Sequence, residues 1–344
     1  MPSPGVSREK CPRPMRFPAA ALALALLVVI GALCLLGGPA FAEKRLRIGI
    51  AMPSFRESRW QYDIEALQEQ SVINGVDILV RFAGNDQKQQ NIHMKELANL
   101  GVDLLLVAPE DVLTAHSGIE YAKNRGIPVI SYDRLAENCH LDAYVSFERA
   151  GVGELMGRFL LSAAPHGKYI LLRGPTSDSN SADYFSGAMK YLRPAIDRGD
   201  ITVLLTAEVA GWRTSEAERL TAEVLKNDKD IAAVLAPNDD TAGGVIAALE
   251  KHGLAGKVPV TGQDANVGGL KRIQTGLQSM TVFKNTNKLA ARAMQVALAL
   301  LDGNPLPTEC VTRNGEMPVP TYFLPVIFLD KNGINNFLRH VEFE

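Results

Sequence analysis

Tryptophan is scarce in this chain of 344 residues: there are two, Trp60 and Trp212, and aromatic residues of all kinds make up 6%. Cysteine is too sparse for a disulfide-built domain. Of four cysteines, Cys11 and Cys34 lie near the amino terminus, which leaves Cys139 and Cys310 for the folded part, with one bridge or two free thiols both open. Neither sign of charge dominates, since 36 Lys and Arg stand against 38 Asp and Glu, and no basic stripe invites a nucleic acid. The histidines, His93, His116, His140, His166, His252 and His340, show no metal-ligand spacing. A G-x-S-x-G elbow and a phosphate loop are missing too, so no metal, no cofactor and no catalytic residue are expected. Low-complexity linkers and heptad runs are also absent.

The one long apolar run stands at the start. Arg8, Lys10, Arg13 and Arg16 precede "FPAAALALALLVVIGALCLLGG", which leads into "PAFA" and the charged "EKR". That order reads as a secretory signal peptide over residues 1–42, cleaved after Ala42. The run approaches the roughly 20 residues that span a bilayer, so a retained anchor is the alternative. The small residues of "AFA" favour cleavage, and Leu33 before Cys34 disfavours lipid attachment. Four basic residues and one acidic residue precede position 43, so the remainder carries a formal charge of −5 and is expected to be exported to an oxidising compartment.

After residue 44, strand-like and helix-like patterns alternate. "RLRIGIAM", "VDILVRFA", "VDLLLVAP", "IPVISYD", "AYVSFE", "KYILLRG", "ITVLLTAEV", "IAAVLAP" and "VPVTGQD" are short, rich in Val, Ile and Leu, and bounded by Gly, Pro or Asp. Between them, "QNIHMKELANLG", "SEAERLTAEVLKND" and "AGGVIAALEKHG" show apolar residues at helical spacing. Repeated βαβ units wind right-handed and place helices on both sheet faces. Nine or ten strands exceed what one open sheet comfortably carries, which predicts two doubly wound parallel-sheet lobes. The expected boundaries are 43–148 plus about 285–312 for the first lobe and 149–284 plus about 313–344 for the second. Three chain crossings then form a hinge. The run "AGVGELMG" mimics a nucleotide-binding glycine pattern, but it falls inside a helix and is assigned to helix packing.

Ligands of open parallel sheets sit beyond the carboxyl ends of the strands. Those tips are Ser54–Trp60, Gly84–Asp86, Pro109–Asp111, Asp133 and Arg134, Pro175–Asn180, Gly211–Arg213, Asn238–Asp240, Asp264 and Lys284. Any single Asp, Asn or Ser there is more simply a helix cap. The combination says more, because both tryptophans fall at tips, one in each expected lobe. Two indoles can clamp the C–H face of a sugar ring while Asp, Asn, Arg and Lys meet its hydroxyls. On this reading Trp60 is a stacking platform whose loss leaves the sugar-free protein nearly unaffected. A glycosidase pair of Asp133 and Asp264 is disfavoured, since Arg134 and Lys284 would keep both ionised.

The segments "SRWQYD", "GVDLLLVAP", "ISYDR", "APNDDTAGG", "VTGQDA", "GGLKRI" and "QSMTVFK" make the chain similar to the periplasmic sugar-binding proteins of ABC importers, specifically the D-xylose-binding branch, over residues 44–304. The resemblance implies a type I periplasmic binding protein fold. It also implies a pentose held by Arg59, Asp133, Arg134, Asn180, Asn238, Asp264 and Lys284, with Trp60 and Trp212 stacking. "PSFRES" and "TSDSNSAD" depart from the family pattern, and the match weakens after residue 304. The expected function is capture of a monosaccharide, D-xylose first, and delivery to an ABC permease by a monomer that is not an enzyme. The alternatives are another aldose (glucose, galactose or arabinose) or a sugar-sensing partner of a chemoreceptor or kinase.

Overall fold

The computed structural model describes Met1, residues 45–54, 57–334 and Phe337; the expected signal peptide lies outside them. Strands β1 (Arg47–Met52), β2 (Asp77–Phe82), β3 (Leu104–Val107), β4 (Val129–Tyr132) and β5 (Ala143–Phe147) follow the expected runs. Joined by β10 (Cys310–Asn314) and β11 (Met317–Leu324), they form a seven-stranded sheet in the order β10-β11-β5-β4-β3-β1-β2. All its pairings are parallel except the β10–β11 hairpin. Helices α1 (Arg59–Asn74) and α9 (Thr286–Leu301) bury their apolar stripes on one face. On the other face lie α2 (Gln87–Asn99) and α3 (His116–Lys123), which is the doubly wound arrangement.

The second sheet repeats the design. Strands β6 (Gly167–Arg173), β7 (Ile201–Glu208) and β8 (Ala233–Leu235) pair in parallel, with β6 central. Helices α4 (Arg149–Ala163) and α5 (Ser179–Asp197) cover one face, and α6 (Thr214–Asn227) and α7 (Asp239–Glu250) the other. The expected strand "VPVTGQD" survives only as a bridge between Val234 and Val260. The reason is local: the Thr261 hydroxyl takes both the N–H and the carbonyl of Ala236, so a side chain replaces the ladder. Beyond it, β9 (Met280–Phe283) pairs antiparallel with β12 (Ile327–Asp330). A short helix, α8 (Val267–Thr275), lies between the bridge and β9.

The glycine-rich run "AGVGELMG" packs helix on helix. A Cβ at Gly153 would stand 1.8 Å from the Tyr184 carbonyl oxygen of α5, an approach only glycine permits.

The chain passes between the sheets after β5, after β9 and after β11. The third passage corrects the expected boundary. Residues from about 313 to 324 belong with the first sheet, because β11 pairs with β5 and returns along the β10 hairpin; the crossing falls at Pro325 and Val326.

Candidate functional site

The carboxyl ends of both sheets face one another across a single cavity. Arg59 opens α1 directly after β1 and is gripped by Asp63 one helical turn on, with Nε donating to Oδ2 at 3.0 Å and Nη2 to Oδ1 at 3.2 Å. Its remaining Nη1 is thereby aimed at Asp133 Oδ1, to which it donates at 2.9 Å. Asp133 ends β4 with φ 59°, a left-handed backbone, and its carbonyl accepts from Tyr144 Oη at 2.8 Å and Ser146 Oγ at 2.7 Å. Arg134, next along, ion-pairs through Nε with Asp178 Oδ2 at 2.7 Å and donates through Nη2 to Glu57.

The second half answers from five segments. Asn180 Nδ2 donates to Asp133 Oδ2 at 3.2 Å. Lys284 Nζ, at the end of β9, sits 2.8 Å from Asp264 Oδ1. Asn238 is both things the sequence left open: its side chain caps α7 in a capping box with Thr241, and it lines the cavity. Trp212 follows Gly211, both with positive φ, so the turn after β7 projects the indole. Asp133, Trp212 and Asp264 are three of the six non-glycine residues with positive φ among the described residues. Such conformations cost about 1–3 kcal/mol each and gather where geometry serves a site.

All nine expected residues, Arg59, Trp60, Asp133, Arg134, Asn180, Trp212, Asn238, Asp264 and Lys284, line this cavity, together with Glu57, Asp178, Tyr184 and Gln263. Glu57 and Asp178 stood in the strand-tip segments, and Gln263 in the expected strand just before the Asp264 tip, without being singled out. Tyr184 carried no signal, being a mid-helix residue brought in by packing. Two other tips serve structure: Asp86 caps α2, and Asp111 accepts from the Leu113 N–H.

Trp60 is not a platform standing free of the core. It is 1% exposed, belongs to the apolar cluster beneath the first sheet, and donates its indole N–H to Glu57 Oε2 at 2.8 Å. The guanidinium carbons of Arg59 and Arg134 stand 4.6 and 5.0 Å from its ring centre. One edge of the indole therefore belongs to the core and another to the cavity.

About 240 Å³ of space free of protein atoms, part of it open to solvent, lies among these residues. Three cations and the four carboxylates of Glu57, Asp133, Asp178 and Asp264 nearly balance on its wall. Burial alone would raise the Asp133 carboxyl, but Arg59, Lys284 and Arg134 outweigh it and hold that carboxyl below its ordinary value. Asp133 is thus a fixed anionic acceptor and a poor proton donor. Asn180 Oδ1, Gln263 Oε1 and Trp212 Nε1 are buried at the wall without a hydrogen-bond partner among the described residues. Two acceptors and one donor left unpaired in this way call for a hydroxylated ligand.

The halves are also tied beyond the cavity. The Val112 N–H donates to Ser177 O at 3.0 Å and the Leu135 N–H to Ser179 Oγ at 2.8 Å. At the rim, the Ser58 N–H donates to Asp240 Oδ2 at 3.2 Å, and Asn266 Nδ2 donates to Ser58 Oγ at 3.0 Å and Asp240 Oδ1 at 2.9 Å. The cleft is closed.

The sequence profile of the periplasmic binding protein domain matches residues 48–305, from the first strand to just past α9. The chain belongs to this family. This periplasmic binding protein is 36% identical over 312 residues to the D-xylose-binding periplasmic protein of Haemophilus influenzae, covering 90% of this chain and 94% of that one. Over the same length and coverage it is 35% identical to the D-xylose-binding periplasmic protein of Escherichia coli. Among solved structures, it superposes on an ABC transporter solute-binding protein from Clostridium phytofermentans with bound beta-D-glucose. That match has a TM-score of 0.80 and 27% identity, and it covers 87% of this chain and 98% of the other.

Proposed function

We propose that this periplasmic binding protein captures a monosaccharide, D-xylose first, in the cavity between its two halves and presents it to an ABC permease without chemical change. The observation that carries the reading is the set of three buried, unpartnered polar atoms on Asn180, Gln263 and Trp212, which stand beside two indoles in one small cavity. Hydroxyls on a sugar ring supply the matching donors and acceptors. The near-balance of wall charge suits a neutral sugar better than a sugar acid or phosphate, which would need a surplus of cations.

The names of two relatives at about one-third identity support D-xylose, and the glucose-bound structural relative supports an aldohexose as the second reading. The basic and apolar N-terminal pattern supports export by a cleaved signal peptide. Separate apolar clusters under each sheet support two lobes that open about the three crossings and close on ligand. Calorimetry against pentoses, hexoses, sugar acids and amino acids tests the reading. Tight binding of D-xylose with weaker binding of hexoses is the expected order. A response to amino acids with none to aldoses would overturn it.

A further inference from the structure

The cavity wall depends on one loop whose shape its own sequence does not explain. Residues Gly262–Asn266 bring Gln263 and Asp264 to the cavity, yet Asp264 and Ala265 are consecutive non-glycine residues with φ of 93° and 52°. Side-chain-bearing residues avoid this region, so something outside the loop must hold it there.

Asp239 is placed to do so. It follows the cavity residue Asn238 but does not itself line the cavity, and it is fully buried. Its N–H donates to Gln263 O at 3.0 Å. Its Oδ2 accepts from the Asn266 N–H at 3.1 Å and from Thr281 Oγ1 at 3.1 Å, and its Oδ1 accepts from Gln278 Nε2 at 2.6 Å. The Thr281 hydroxyl accepts in turn from the Ala265 N–H at 3.2 Å. The far end and the middle of the loop are therefore tied to one carboxylate, directly or through Thr281, and the near end is tied to the backbone N–H of the same residue. The approach is close enough that a Cβ at Gly262 would stand 2.2 Å from Asp239 Oδ1, and one at Gly269 would stand 2.3 Å from Oδ2.

We propose that Asp239 is a positioning residue for ligand capture, locking the Gly262–Asn266 loop so that Gln263 and Asp264 meet the ligand already oriented. A carboxylate suits the task because it only accepts, and it has lone pairs for all three donors around it; an amide would turn its NH₂ toward one of them. The charge is costly where it stands. Burial first, then nearby Asp264, push this carboxyl up to about 7 against the opposing pull of Gln278, Thr281 and Arg272. Pre-orientation offsets that cost by sparing the loop an ordering step at binding.

The binding part of the test rests on the sugar-capture reading, whereas the exchange part does not. Asp239→Asn and Thr281→Val each remove part of the lock, and Thr281→Val carries the test if the first variant does not fold. In the sugar-free protein, the amides of Asp264, Ala265 and Asn266 should exchange with deuterium about tenfold faster in the variants, with the amides of β1 and β3 unchanged. D-xylose affinity by calorimetry should fall about tenfold. Combined with Gln263→Ala, the loss should be smaller than the sum of the two, because Asp239 acts partly through Gln263. Unchanged loop exchange, or losses that simply add, would overturn the proposal. A wild type that takes no D-xylose would defeat the capture reading alone, and the exchange rates would still decide the positioning.

Discussion

Replacing Trp60 with Ala separates what the fold asks of this residue from what the cavity asks. The side chain is 1% exposed and packs with the cluster of Ile64, Leu67 and the strands above them. Truncating so large a buried aromatic costs about 3–5 kcal/mol. The lost indole donor to Glu57 and the lost contacts with two guanidinium groups place the cost toward the upper end. At roughly 2–4 °C per kcal/mol for a large domain, the sugar-free protein should melt about 10 °C lower. Affinity should fall as well, by about tenfold, through loss of one stacking face. Trp60→Phe keeps most of the ring and leaves Glu57 its Arg134 partner, so it should cost about 1 kcal/mol of stability. Thermal unfolding without sugar, set beside calorimetry with it, measures both effects. A sugar-free melting temperature within about 2 °C of wild type, with binding lost, would mean that the indole carries no core and that the packing argument is wrong.

Lys284→Met should cost about 3 kcal/mol by leaving the buried Asp264 carboxylate only the more distant Arg59, at 4.0 Å in place of 2.8 Å, and adding Asp264→Asn should recover part of the melting temperature; melting losses that simply add would count against the pair. Asp240→Ala breaks the rim contacts with Ser58 and Asn266 without touching the cavity, so sugar dissociation followed by tryptophan fluorescence should quicken about fivefold with association unchanged. An unaltered dissociation rate would show that the rim does not hold the cleft. The Asp239 carboxyl titrates at about 7 in the folded protein against about 3.9 unfolded, so its contribution to stability is full below about pH 4 and is lost as pH rises through 7. Melting of Asp239→Asn relative to wild type should therefore improve from pH 5 to pH 8.5, and a constant difference would contradict the shift.

Local patterns carried most of the fold and much of the site. Strand runs, helical spacing and turn residues are properties of neighbouring positions, so the α/β alternation and the strand tips are legible in the sequence, and all nine expected residues meet in one cavity. The motif resemblance sharpened that list, since the tip rule alone admits Asp86 and Asp111, which cap or brace their own loops. Pairing across the chain was not legible. The third crossing falls at Pro325 and Val326 because β11 finds β5, about 180 residues earlier, and no short-range pattern records that choice. Tyr184 reaches the cavity only because α5 presses against the glycines of α4. The sequence offered Trp60 as either core or cavity, but a side chain with two faces can serve both, and only tertiary packing could show that it does. Asp239 was hidden for the same reason: its partners lie 24 to 42 residues away, and its role exists only where those segments close around one buried carboxylate.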